Sequence, residues 1–179
     1  EFWPISKSGQ WFKLNQDKFN CKISHNIITR LDCKINLYDI IKNEPYCPIS
    51  IVDINKNKKY FPENSVWFIK YRSGGGGGFI YPTYYKNIKK KIDALNLNKK
   101  SIPKCHSPPS FKDFRYIIQQ EIKPLLINGR KCDLRIFYII VFKNKSVKFY
   151  LGKDGFIKIN NKKYIKNSID KTVQLTNNA

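Results

Sequence analysis

The sequence has no methionine, only two histidines, and 13 acidic residues set against 34 lysines and arginines. Without methionine there is no initiator before Glu1, so the 179 residues read as an excised piece of a longer chain. The shortage of acids leaves a net charge of +21. A field of that sign favours acidic partners: nucleic acid, an anionic membrane or an acidic protein tail. His25 and His106 have no partners at metal-ligand spacing. The five cysteines, Cys21, Cys33, Cys47, Cys105 and Cys132, are odd in number and contain no C-x-x-C pair. A disulfide framework and a zinc ribbon therefore find little support, and reduced cytosolic thiols are the simplest reading. No stretch approaches the ~20 apolar residues of a membrane span, and no signal-peptide pattern occurs. Neither G-x-x-x-x-G-K-[ST] nor G-x-G-x-x-G leading into a helix is present, so the usual phosphate-loop and dinucleotide fingerprints are absent.

At 41% hydrophobic and 15% aromatic, the chain has enough apolar material for one domain with a substantial core. Its organising stretch runs from Ser65 to Tyr81. Val66-Trp-Phe-Ile69 reads as a buried strand ending in Lys70 and Arg72. The glycines Gly74, Gly75, Gly76, Gly77 and Gly78 follow, and Phe79-Ile-Tyr81 resumes an apolar run. A cation at a strand end, beside a loop whose amides can approach an anion closely, suits a nucleotide triphosphate. A flexible hairpin loop is the competing reading.

A second segment, residues 130–142, alternates with period two. Cys132, Leu134, Ile136, Tyr138 and Ile140 point one way. Lys131, Asp133 and Arg135 point the other. Three charges in a row on one face of an otherwise apolar strand are costly to bury unless satisfied. They satisfy one another as a network, or they line a cavity that holds a polyanion.

The remaining elements follow from periodicity and turn residues. Residues 32–42 look helical, with Asp32 as cap and Lys34 in the first turn, where the helix dipole disfavours a cation. Residues 49–54 are a strand candidate. Residues 84–97 read as a basic amphipathic helix with Ile88, Ile92 and Leu95 on one side. Residues 116–122 form a strand, interrupted at Lys123-Pro124, and Asn128-Gly129 marks a turn. Further turns at Asn144-Lys145 and at residues 152–155 predict an antiparallel meander from Ile117 to Ile159.

Four motifs in order then carry a resemblance to the tubulin–tyrosine ligase-like family. Gly9-Gln-Trp11 with Lys34-Ile-Asn-Leu37 is similar to its N-terminal region. Val66-Trp-Phe-Ile-Lys70 plus the glycines resembles its "W-I-x-K … G-x-G" strand and loop. Residues 118–122, Pro124-Leu-Leu-Ile127 and Gly129-Arg-Lys-Cys-Asp-Leu-Arg135 resemble "Q-K-Y-I … P-L-L-I … G-R-K-F-D-[IL]-R". Lys171-Thr-Val-Gln-Leu-Thr-Asn177 resembles the closing "H-L-T-N". The chain departs from these motifs at Glu121, where tyrosine is usual, at Cys132 for phenylalanine, at Lys158 for arginine and at Gln174 for histidine.

The resemblance implies an α+β, ATP-grasp-like fold of antiparallel sheets with flanking helices. It also implies three regions: residues 1–55 as a linker region, 56–115 as a central subdomain with the phosphate loop, and 116–179 as the incomplete start of a C-terminal subdomain. It implies an ATP-dependent ligase that adds glutamate, glycine or tyrosine to the acidic C-terminal tail of tubulin. A carboxylate is first phosphorylated, and an amine then displaces phosphate to form an amide. Lys70, Asp133, Arg135 and Lys158 would act at the reacting groups. Lys34, Lys70, the five glycines, Lys131, Asp133, Thr176 and Asn177 would hold the nucleotide, with Gln119, Gln120, Glu121 and Ile122 as a hinge facing adenine. Magnesium would be held by carboxylates beyond Ala179, so these residues alone are expected to bind ATP weakly and not to turn over. Free amino acid and tubulin are the implied partners, with no membrane or nucleic acid. The implied location is cytoplasmic, on microtubules or in a cilium. The competing readings are a non-catalytic tubulin-binding relative and a basic RNA-binding module.

Overall fold

The computed structural model describes residues 33–73, 78–97, 114–143 and 146–176. The expectations for Asp32, for Gly74 to Gly77, for the Asn144-Lys145 turn and for Asn177 lie outside these residues, as does the Gly9-Gln-Trp11 motif.

In chain order the elements are α1 (Lys34–Ile41), β1 (Ser50–Ile51), β2 (Val66–Tyr71), β3 (Ile80–Tyr84), a 3-10 turn (Tyr85–Asn87) and α2 (Ile88–Leu97). Then come β4 (Tyr116–Gln120), β5 (Leu126–Ile127), β6 (Arg130–Lys143), β7 (Ser146–Ile159) and α3 (Lys171–Gln174). The expected helix over residues 84–97 thus begins later. Tyr84 still pairs with Val66 at the end of β3, and a tighter turn precedes α2. The N-cap of helix α1 is Cys33, whose side chain makes no capping bond.

The first sheet is antiparallel with strand order β1-β4-β2-β3. Apolar residues run almost unbroken along β2 because both of its faces are covered. Trp67, Ile69 and Tyr71 share one face with Tyr116 and Ile118 of β4, and α2 closes that face with Ile88, Ile92 and Leu95. On the other face α1 supplies Cys33 and Ile35 against Ile117. Lys70 lies on this second face, directly beside Ile117 in register.

The second sheet has the order β5-β6-β7. It replaces the single meander expected from Ile117 to Ile159. Strand β4 stays with the first sheet, and the chain leaves it through Lys123-Pro124, where proline has no N–H to donate to a ladder. The turn at Asn128-Gly129 is as the sequence suggests, with φ of 51° and 72°. The left-handed angles match a tight hairpin.

The turn expected at residues 152–155 does not form. Strand β7 runs continuously through it, and the extra residues are absorbed by a bulge: Ile136 faces Gly155, whereas Tyr138 faces Leu151. Glycine is needed there for close approach rather than for turning. A Cβ on Gly155 would lie 2.5 Å from the carbonyl oxygen of Arg135. Gly155→Ala is therefore expected to push β7 off β6, destabilising the ribbon by about 1–3 kcal/mol. Faster amide exchange in residues 134–158, with exchange at β2 and β4 unchanged, is the measurement that checks it.

Candidate functional site

The two sheets and α3 border a half-open cavity of about 280 Å³. Phe68 and Lys70 come from β2, Gln119 and Gln120 from β4, Lys131 and Asp133 from β6. Gln174, Leu175 and Thr176 close it from α3 and the segment after it, and Pro48, Ile80 and Ile122 complete the wall. Period two explains the gathering. Phe68 and Lys70 are two apart on one face of β2, and Lys131 and Asp133 are two apart on one face of β6.

Lys70 reaches across the sheet and donates to Oε1 of Gln119 at 2.8 Å. The amide of Gln119 is held in turn, its Nε2 donating to Ser50 Oγ at 3.0 Å. The Lys70 ammonium stands 5.8 Å from the centre of the Phe68 ring, and that of Lys131 stands 5.3 Å from the same ring. Two cations near one aromatic ring make this wall of the cavity positively charged. Burial, then the charges of Lys34 and Lys131, lower the pKa of Lys70 from 10.5 to about 8, against an opposing pull from Asp133. Burial also lowers Lys131, opposed by Glu121 and Asp133. An anion placed beside these two lysines would favour their charged forms.

The other expected residues are distributed as follows. Thr176 donates its hydroxyl to Asp133, so both are tied together at the cavity wall. Lys34 does not line the cavity. Its backbone N–H donates to Arg72 O at 2.8 Å, and its charge is felt by Lys70. Glu121 does not line the cavity; it accepts from the Tyr164 hydroxyl at 3.1 Å, and its charge is felt by Lys131. Burial and this carboxylate push Tyr164 up to about 12. Lys158 lies opposite Asp133 in the β6–β7 ladder. Arg135 lies outside the cavity, in a shallow recess with Leu125 and Leu134. Two residues beyond Asp133 along β6 carry Arg135 about 7 Å further. A Cβ on Gly78 would meet nothing within 4 Å.

Sequence reasoning did not place Phe68 or Gln174 in this site, nor Asn160 behind it. Phe68 was findable, because it stands two residues before Lys70. Gln174 is fully buried and accepts from Lys131 at 3.3 Å. Asn160 is buried and donates to the carbonyls of Val173 and Leu175, which anchors α3. Among the described residues no group of three His, Cys, Asp or Glu side chains converges. Nor is any helix among them long and apolar enough to cross a membrane.

Comparison with known proteins adds the following. The model of the "Tubulin-tyrosine ligase family" matches residues 12–179. A 66-residue stretch is 42% identical to "Probable tubulin polyglutamylase TTLL9" of Bos taurus, covering 36% of this chain and 14% of that relative. The proteins of the same name from Mus musculus and Rattus norvegicus are 41% identical over 66 residues, with the same coverage. The match therefore spans a small part of these relatives' length.

Proposed function

Because the chain belongs to the tubulin-tyrosine ligase family, we propose that its cavity is the phosphate end of an ATP site in a ligase that joins an amino acid to the acidic tail of tubulin. The observation that carries this reading is the convergence of Lys70 and Lys131 over Phe68, with Lys34 close enough to be felt and Asp133 as the carboxylate on the wall. Lys34, Lys70 and Lys131 outnumber the carboxylates Asp133 and Glu121, an excess that suits a triphosphate, whose charge they would neutralise as it is transferred.

The nucleotide, when bound, supplies the phosphoryl group that activates a carboxylate for amide formation. Lys70 and Lys131 hold the phosphates, and the Gln119 amide aims Lys70. Asp133, tied to Thr176, orients the neighbouring cations or receives the incoming amine. Gln120 and Ile122 at the end of β4 offer backbone to the base. Lys158, opposite Asp133 in the ladder, and Arg135, two residues further along β6, are assigned to charge cancellation at the acceptor. The +21 charge attracts a glutamate-rich tail by long-range steering. TTLL9 similarity makes glutamate the amino acid proposed, and microtubules, including those of cilia, the location.

The test is direct. Isothermal titration of this chain with ATP is expected to show weak saturable binding that is abolished by Lys70→Ala and weakened by Asp133→Ala. Transfer of labelled glutamate to tubulin by the whole protein, lost in both variants, is expected as well. Saturable RNA binding with no response to ATP would sink the reading in favour of a nucleic-acid module.

A further inference from the structure

Gln174 is the least exposed polar side chain among the described residues, at 1%. Both ends of its amide are used. Nε2 donates to Ser168 O at 2.8 Å, and Oε1 accepts from the Lys131 ammonium at 3.3 Å. The segment carrying it is fastened independently. Asp170 caps α3 by accepting from Thr172 N at 2.8 Å, and Asn160 donates to Val173 O at 3.0 Å and Leu175 O at 3.2 Å. The acceptor is thus rigid before Lys131 meets it. Lys131 itself is a flexible stem with a point charge, which an aromatic face attracts without fixing its direction.

We infer that Gln174 is a positioning residue: its carbonyl, locked by the bond to Ser168, holds the Lys131 ammonium over Phe68 and inside the cavity. The effect expected on nucleotide affinity rests on the function proposed above, whereas the effect on Lys131 does not. The charged groups facing Lys131 are Lys70 from β2, Asp133 from β6 and Glu121 after β4. A neutral acceptor supports the ammonium among them without adding a charge to a fully buried position.

The role needs one donor and one acceptor, about an amide's length apart and uncharged. A neutral imidazole also offers one N–H and one lone pair, so histidine at this position can serve both Ser168 and Lys131. Leucine fills similar space and serves neither. The two substitutions therefore separate hydrogen bonding from packing.

The experiment compares the chain with Gln174→Leu and Gln174→His, using lysine labelled with carbon-13 and the Lys131 resonance assigned through Lys131→Arg. Gln174→Leu is expected to lower the titration midpoint of Lys131, because an acceptor that favours the charged form is gone. It is also expected to weaken ATP binding about tenfold at pH 7.5. Gln174→His is expected to keep the midpoint near that of the parent and affinity within about threefold. An unmoved Lys131 midpoint in a natively folded Gln174→Leu protein overturns the inference, as does a histidine variant that behaves like the leucine one. If the leucine variant does not fold, Gln174→Met, which keeps the length and packing, takes its place in the same comparison. If the parent chain binds no ATP, the nucleotide reading fails alone and the Lys131 titration still decides the role of Gln174.

Discussion

Lys70→Met is expected to abolish measurable ATP binding and, at the same time, to raise the melting temperature of the empty protein. Both effects come from one fact: the ammonium is buried among other cations, and its pKa falls from 10.5 to about 8. In the unfolded chain that lysine keeps its ordinary pKa, so between about pH 8 and 10.5 the unfolded state binds the extra proton. Stability therefore rises as pH climbs through that window. Below it, the folded protein carries a cation that it holds poorly. Methionine of similar length removes that charge and leaves the cavity filled. The nucleotide responds in the opposite sense. A polyanion interacts with the charged form, and losing a partly buried, hydrogen-bonded cation is worth about 2–4 kcal/mol, or roughly 30- to 1000-fold in affinity.

The same shift predicts a pH dependence. ATP affinity should decline as pH rises through about 8, where Lys70 of the free protein loses its proton. Binding should draw a proton from solution in that range, visible as a heat of binding that changes with buffer ionisation enthalpy. Lys70→Met should remove this proton uptake. A variant that binds ATP normally, or a parent whose affinity is flat between pH 7 and 9, would remove Lys70 from the site.

The largest loss of stability is expected from Trp67→Ala. Trp67 is completely buried at the centre of the first core. Its ring meets Phe61 edge-on at 4.8 Å and Tyr85 at 5.5 Å, and its Nε1 donates to Ser65 Oγ at 2.9 Å. Truncation removes the largest side chain in the core and leaves a hole lined by elements that cannot collapse together, since β2 is pinned on both sides by β3 and β4. The expected cost is about 3–5 kcal/mol, a large share of the 5–15 kcal/mol that holds an ordinary domain together. A urea midpoint that stays within error of the parent would show that the core is not centred on Trp67.

The sequence by itself determined the parts that depend on neighbours along the chain. The apolar run of β2 with a cation at its end, the Asn128-Gly129 turn and the charged face at the start of β6 were all legible. Each is set by side-chain alternation or by a local backbone angle. The tertiary structure alone decided where those faces meet. Lys70 finds Gln119 49 residues away, and Lys131 finds Gln174 43 residues away. No pattern of period two or 3.6 encodes contacts at that separation. The glycines at 152 and 155 were misread for the same reason. Locally they signal a turn, but the backbone of β6 passes close against them and the strand runs on through a bulge. Arg135 lies outside the cavity because strand length, not alternation, sets how far along the ribbon it stands.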